Sequence, residues 1–137
     1  MDNKLALVIE DDSDAAVIFS AALRANGFDP KAVHIGDIAS KRLNELSPEI
    51  VLLDMHLPKV PGTELIKQIR ENEHTKDTMV IIVSADPRMA ETVEHLADLV
   101  VIKPTTFSQV RDLITRMVRM REAEKVQKAE EQPLEST

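Results

Sequence analysis

Cysteine is absent from the 137-residue chain, which rules out disulfides, thiol catalysis and zinc–thiolate centres. The absence fits a reducing compartment. Tryptophan and tyrosine are also missing, and there are only three phenylalanines and three glycines, so no cradle for a flavin is visible. No apolar run approaches the ~20 residues of a membrane span. The N-terminus, Met1-Asp2-Asn3-Lys4, has no basic segment leading into a long apolar stretch and a cleavage site. Positive charge is in deficit, with 17 Lys and Arg against 24 Asp and Glu and a net charge of −7. That balance disfavours nucleic-acid binding, which calls for a basic patch. The expectation is a cytoplasmic protein with no membrane association and no nucleic-acid binding of its own.

What is present is a regular alternation. Leu5 to Ile9, Ile50 to Leu53, Met79 to Val83 and Leu99 to Ile102 are short, continuous apolar runs rich in Val, Ile and Leu. Strands buried on both faces of a parallel sheet read this way. A weaker run, Lys31 to Ile35, suits an edge strand. Helical patterns fill the gaps. Ala15, Ile18, Phe19 and Ala22 share one face before Gly27. Asp37 can cap a helix carrying Ala39, Leu43 and Leu46. Leu65, Ile66 and Ile69 mark a third helix. Asp86-Pro87 predicts the start of a fourth helix bearing Met89, Val93, Leu96 and Ala97. Thr106 and Gln109 have capping-box spacing and open a fifth helix bearing Phe107, Val110, Ile114 and Met117. The fifth helix is expected to run past the core and fray before Pro133. The fold class is therefore α/β, a doubly wound five-stranded parallel sheet, (βα)5. A single domain spans 1–120, with an extended C-terminal helix and polar tail over 121–137.

In such sheets ligands bind beyond the carboxyl ends of the strands, and the residues there are chemically coherent. Glu10-Asp11-Asp12 follow the first strand, Asp54 the third, Ser84 the fourth, and Lys103-Pro104 the fifth. Clustered carboxylates repel one another unless a cation joins them, and their hard oxygens suit Mg²⁺. A carboxylate can act as nucleophile and form an acyl phosphate. A metal and a lysine neutralise phosphoryl charge, and a hydroxyl can donate to a phosphoryl oxygen.

These segments resemble the receiver domains of response regulators. Val8-Ile9-Glu10-Asp11-Asp12 is similar to the acidic pair closing the family's first strand. Asp54-Met55-His56-Leu57-Pro58-Lys59-Val60-Pro61-Gly62 resembles its phosphorylation-site pattern. Ser84-Ala85 matches the hydroxyl-small pair, and Lys103-Pro104 the lysine followed by a cis proline. The resemblance covers roughly residues 4 to 120 and implies a flavodoxin-like strand order 2-1-3-4-5. It implies that Asp54 is the phosphoacceptor and that Asp11, Asp54 and the backbone carbonyl of His56 bind Mg²⁺, with Glu10 acting through a metal-bound water. Ser84 would sense the phosphoryl group and Lys103 would pair with Asp54 and then with phosphate. Asp12 is left without a role.

The implied partners are a histidine kinase or phosphotransfer protein as donor and a separate output protein, with a homodimer through helices four and five as a further expectation. The chain is expected to be a stand-alone phosphoacceptor rather than an enzyme, promoting only its own phosphorylation and slow dephosphorylation. A haloacid-dehalogenase-like phosphatase would need an aspartate where His56 stands. The alternative is an unphosphorylated receiver-like scaffold. Two departures bear on it: Val100 occupies the usual switch aromatic's position, and the stretch from Ser84 to Lys103 is short. His34, His56, His74 and His95 show no metal-ligand spacing. The basic residues of the last helix, Arg111, Arg116, Arg119 and Arg121, read as a solvated face. Met117, Met120 and Val126 offer a partner-facing stripe that competes with simple packing.

Overall fold

The computed structural model describes residues 4–103 and 105–131. The expected cis bond at Pro104 and the fraying before Pro133 lie outside the described residues. The strands are β1 (Lys4–Ile9), β2 (Phe28–Val33), β3 (Ile50–Asp54), β4 (Met79–Ser84) and β5 (Leu99–Ile102). They form one parallel sheet in the order β2-β1-β3-β4-β5. The helices are α1 (Ser13–Arg24), α2 (Gly36–Glu45), α3 (Gly62–Glu71) and α4 (Phe107–Glu131), the last being the expected fifth helix.

Every residue of β3 and β4 is buried, so the continuous apolar runs have the expected cause. Alternate side chains feed two separate cores. Ala6, Val8, Leu52, Ile81 and Val83 pack with α1 and with Val110 and Ile114 of α4. Leu7, Ile9, Val51, Leu53 and Ile82 pack with Ala39, Leu43, Leu65, Ile66 and Ile69 of α2 and α3. Each such fully buried Leu or Ile contributes about 1.5–3 kcal/mol of transfer free energy. The capping box forms reciprocally at the start of α4: Gln109 N–H donates to the Thr106 hydroxyl at 3.2 Å, and Thr106 N–H to the Gln109 amide oxygen at 3.0 Å.

Three expectations are corrected. β2 begins at Phe28 rather than Lys31, because Pro30 is tolerated on an edge strand, where no further strand needs its N–H. α2 begins at Gly36 without a side-chain cap, and Asp37 lies inside its first turn. A tertiary contact sets that start: Gly36 N–H donates to the Pro58 carbonyl at 3.0 Å, and a Cβ at Gly36 would collide with the Val60 backbone.

The third correction concerns the expected fourth α-helix. Asp86 does accept from Arg88 N–H at 3.0 Å, but only two 3₁₀ turns follow, Pro87–Met89 and Glu94–Leu96. Ala90 and Val93 still bury, three residues apart, the spacing a 3₁₀ turn favours. The chain must return along the whole length of β4 within residues 85–98. Extended joints and a 2.0 Å rise cover that distance with fewer residues than an α-helix rising 1.5 Å. The helix-four half of the expected homodimer surface is therefore not an α-helix.

One side chain anchors this irregular return. Arg70 of α3 donates to the carbonyls of Leu96 (2.8 Å), Lys76 (2.8 Å) and Thr78 (2.7 Å) and to Asp98 Oδ2 (3.2 Å). Asp98 also accepts from Val80 N–H at 2.8 Å. Arg121 of α4 reaches the same hub, 3.8 Å from Asp98 Oδ1, and donates to the Asp77 carbonyl at 2.8 Å. Arg70→Met strands these acceptors, and the expected loss is about 2–4 kcal/mol. Urea unfolding followed by far-UV circular dichroism measures it. A loss under about 0.5 kcal/mol, the range of ordinary surface substitutions, would show the hub dispensable.

Candidate functional site

The register of the sheet builds the site. Ile9 pairs with Leu53 across β1 and β3, and Asp54 pairs with Val83 across β3 and β4. Ser84 pairs with Ile102. The residues that end these strands therefore meet at one rim. Backbone bonds continue the ladders there, from Glu10 N–H to the Val33 carbonyl (3.0 Å) and from Lys103 N–H to the Ser84 carbonyl (2.8 Å).

Glu10 is 1% exposed and Asp54 4%. Carboxylate oxygens of Glu10, Asp11 and Asp54 lie within 4.8 Å of one another, Asp11 being the exposed member. Lys103 Nζ is 2.6 Å from Glu10 Oε1 and 3.6 Å from Asp54 Oδ2. The closer contact is an ion pair without hydrogen-bond alignment, and Glu10 Oε1 has no hydrogen-bond partner among the described residues. Burial, reinforced by the neighbouring Asp54, pushes the Glu10 carboxyl up to about 8 despite Lys103. Burial pulls the Lys103 ammonium down, but Glu10, Asp54 and Asp11 outweigh it and hold it above its ordinary value.

An under-satisfied buried carboxylate beside two more carboxylates, one of them open to water, suits a hard divalent cation that keeps part of its hydration shell. Glu10, Asp11 and Asp54 thus fit Mg²⁺ by donor type and by charge. His56 N–H donates to Asp54 Oδ1 at 3.0 Å, which folds the chain after β3 tightly over the carboxylate. Gly62 backs this turn. A Cβ there would stand 2.7 Å from the Asp54 carbonyl oxygen, so only glycine admits the approach. Lys59, in the same loop, adopts a positive φ of 77°, a conformation that costs a non-glycine residue energy and clusters at functional sites.

The structure thus brings together Glu10, Asp11, Asp54 and Lys103. Ser84 lies at the same rim but points its hydroxyl elsewhere: it donates to the Asp86 carbonyl at 2.8 Å and accepts from Asp86 N–H at 3.1 Å. Asp12 gains a role as the N-cap of α1, accepting from Asp14 N–H at 3.0 Å. Two contributors were missed from sequence. His34 Nδ1 lies 2.8 Å from the Glu10 carbonyl oxygen, and so donates to it and steadies the acidic segment. Its only sequence signal was its place beside β1 in the strand order. Asp86 holds the Ser84 hydroxyl through its backbone, and only the tight Ser-Ala-Asp-Pro spacing hinted at that. Val100 is half-buried and packs against the α2–α3 core. No helix among the described residues is long and apolar enough to cross a membrane.

A 2-1-3-4-5 parallel sheet that gathers carboxylates and one lysine at its carboxyl rim defines a class, the flavodoxin-like α/β domain with an acidic pocket. Comparison with known proteins makes this narrower. Residues 6–130 match the family model described as response regulator receiver domain, and the chain belongs to that family. The phosphate regulon transcriptional regulatory protein PhoB of Rhizobium meliloti is 32% identical over 115 residues, covering 82% of this chain and 51% of that protein. The two-component response regulator ORR5 of Oryza sativa subsp. japonica is 29% identical, covering 82% of this chain and 87% of that protein. The chain spans about half the length of the PhoB relatives it matches. Among solved structures, a CheY-like receiver domain from Methylobacillus flagellatus superposes with a TM-score of 0.73 at 25% identity, covering 84% of this chain and 98% of that one. Receiver domains are phosphoacceptors of two-component signalling.

The buried carboxylates predict a measurable linkage. The native value of Glu10, about 8, lies above its ordinary 4.5. The native state therefore keeps a proton that the unfolded state releases. That contribution to stability is complete below about pH 4.5 and is lost as pH rises towards 8. In chelator, Glu10→Gln should exceed the parent in stability at the alkaline end of this window, with the advantage fading at the acidic end. Mg²⁺ should narrow the gap by favouring the ionised parent. Denaturant titrations across pH, with and without Mg²⁺, check this. A pH-independent difference between the two proteins would remove Glu10 as the titrating group.

Proposed function

We infer that Asp54 accepts a phosphoryl group from a histidine kinase or phosphotransfer protein. The observation that carries this reading is the buried Asp54 carboxylate at the centre of the rim, flanked by Glu10 and faced by the Lys103 ammonium. An Asp54 oxygen attacks phosphorus, the phosphorus–nitrogen bond of the donor histidine breaks, and an acyl phosphate forms. Asp11, Asp54 and the His56 backbone carbonyl would hold Mg²⁺, with Glu10 acting through a metal-bound water, and the ion would supply charge neutralisation for the phosphoryl group. Lys103, 3.6 Å from Asp54 Oδ2, follows that charge onto the phosphoryl oxygens. Water later hydrolyses the acyl phosphate, so the domain promotes its own phosphorylation and slow dephosphorylation and turns over no other substrate.

Incubation with acetyl phosphate and Mg²⁺ followed by intact mass measurement tests this. One added phosphoryl group is expected, absent in Asp54→Asn and reduced at least about tenfold in rate in Lys103→Ala, from the loss of one charge contact. No gain with acetyl phosphate or with a phosphorylated phosphotransfer protein would favour an unphosphorylated scaffold.

The response runs through Ser84. To reach a phosphoryl oxygen its hydroxyl must leave the Asp86 carbonyl, which frees the loop that Asp86 and Arg88 clamp with contacts of 3.0–3.1 Å. The first 3₁₀ turn follows directly. Val100 replaces the aromatic of the usual switch, and the signal passes instead to the 3₁₀ segment and from there to a separate output protein. Amide exchange with and without beryllofluoride should change over residues 84–98. Unchanged exchange there, with beryllofluoride binding demonstrated, would refute this route.

A further inference from the structure

At the opposite end of the sheet from Asp54, a groove of about 330 Å³ opens between the starts of β4 and β5 and the outer flank of α4. Its apolar lining comprises Met79, Leu99, Leu113, Met117 and Met120, with Arg116 and Arg121 at the margin. Half of the chain's six methionines meet here, and methionine side chains adapt to an incoming apolar surface. Met120 is 63% exposed, more than packing against its own domain explains.

A second, polar groove of about 470 Å³ adjoins the first through Asp98, Arg121 and Glu124, adding Arg70, Lys76, Asp77, Lys125 and Lys128. Six basic and three acidic side chains line the two together, on a chain whose net charge is −7. Of the acids, Asp98 is spent on Arg70 and Arg121. Arg116, Lys125 and Lys128 form no ion pair among the described residues.

α4 then leaves the domain. Every residue from Glu122 to Glu131 is exposed, and a helical overhang that short gains little from propensity alone. We propose that the groove and this overhang together receive an amphipathic helix of a partner protein, with leucine-type anchors on the methionine floor and acidic residues against Arg116, Lys125 and Lys128. The trough from Leu113 to Glu124 is about 16 Å long, three turns of helix, and helix-in-groove docking of this kind uses anchors at i, i+3, i+4 and i+7. A second copy of the chain fits less well, because pairing this face with itself sets basic margin against basic margin.

The inference does not depend on phosphorylation, so it is tested on Asp54→Asn as well as on the parent. The probe is a synthetic helix of about 16 residues with leucines on one face and glutamates on its flanks, compared with the same peptide carrying lysines for glutamates. Methionine-methyl NMR should show Met79, Met117 and Met120 shifting on titration with the glutamate peptide while Met55 and Met89 stay fixed. Binding should weaken with salt and be at least about tenfold weaker for the lysine peptide. Met120→Glu and Arg116→Glu, both at exposed positions, should abolish the shifts while far-UV circular dichroism and the thermal midpoint hold. Equal binding of both peptides, absence of shifts, or shifts spread to Met55 and Met89 would overturn the proposal. So would a dimer in light scattering that Met120→Glu dissolves, which assigns the groove to a second copy.

Discussion

Two carboxylates, Glu10 and Asp54, are buried side by side at the ends of adjacent strands, and one lysine cannot neutralise both. Lys103 takes the nearer contact with Glu10 at 2.6 Å and the farther one with Asp54 at 3.6 Å. The residual repulsion is relieved by retaining a proton or by admitting a cation. Much of the rim is arranged around that constraint. His34 fixes the Glu10 carbonyl, the His56 amide fixes one Asp54 oxygen, and Gly62 lets the following turn close over Asp54. A well-packed apolar pair would make the fold more stable. On the proposed reading the charged pair serves phosphoryl transfer, which depends on charge neutralisation at a preorganised position.

The strands and the site residues were legible in sequence for one physical reason. Parallel strands buried on both faces are continuous apolar runs, and the first polar residue after each run must lie at the carboxyl rim. Leu5 to Ile9, Ile50 to Leu53 and Met79 to Val83 announced Glu10, Asp54 and Ser84 in that way. Pro30 hid the start of β2, since a proline argues against a strand unless the strand is known to be an edge. The start of α2 was set by Gly36 meeting the β3–α3 loop, a contact distant in sequence that no local cap signal records.

The segment between β4 and β5 shows where local reading stops. Asp86-Pro87 is a sound helix start, and Ala90 and Val93 do turn inward, yet the helix does not propagate. Its far end is held by Arg70 through the Leu96 carbonyl and by Asp98 through Val80. Arg70 reads in sequence as an ordinary charge near a helix end. Its role depends on four acceptors from two separate stretches of chain, 76–78 and 96–98, a convergence that exists only once the sheet has formed.

That hub also separates the two ends of the sheet. At the carboxyl rim, charge is buried and the chain around it is tightly tied. At the other end Asp98 and Arg121 pin α4 to the sheet, so that the helix leaves the domain in a fixed direction and exposes its methionine flank. The 3₁₀ turns join the two ends, one beginning next to Ser84 and the other ending on Arg70. A regular helix here would bring its own ladder of internal bonds and would move as one rigid body. The two short turns are separate units, each closed by a few bonds of its own, such as Met89 N–H to the Asp86 carbonyl and Ala97 N–H to the Glu94 carbonyl, and the second is anchored to Arg70 through the Leu96 carbonyl.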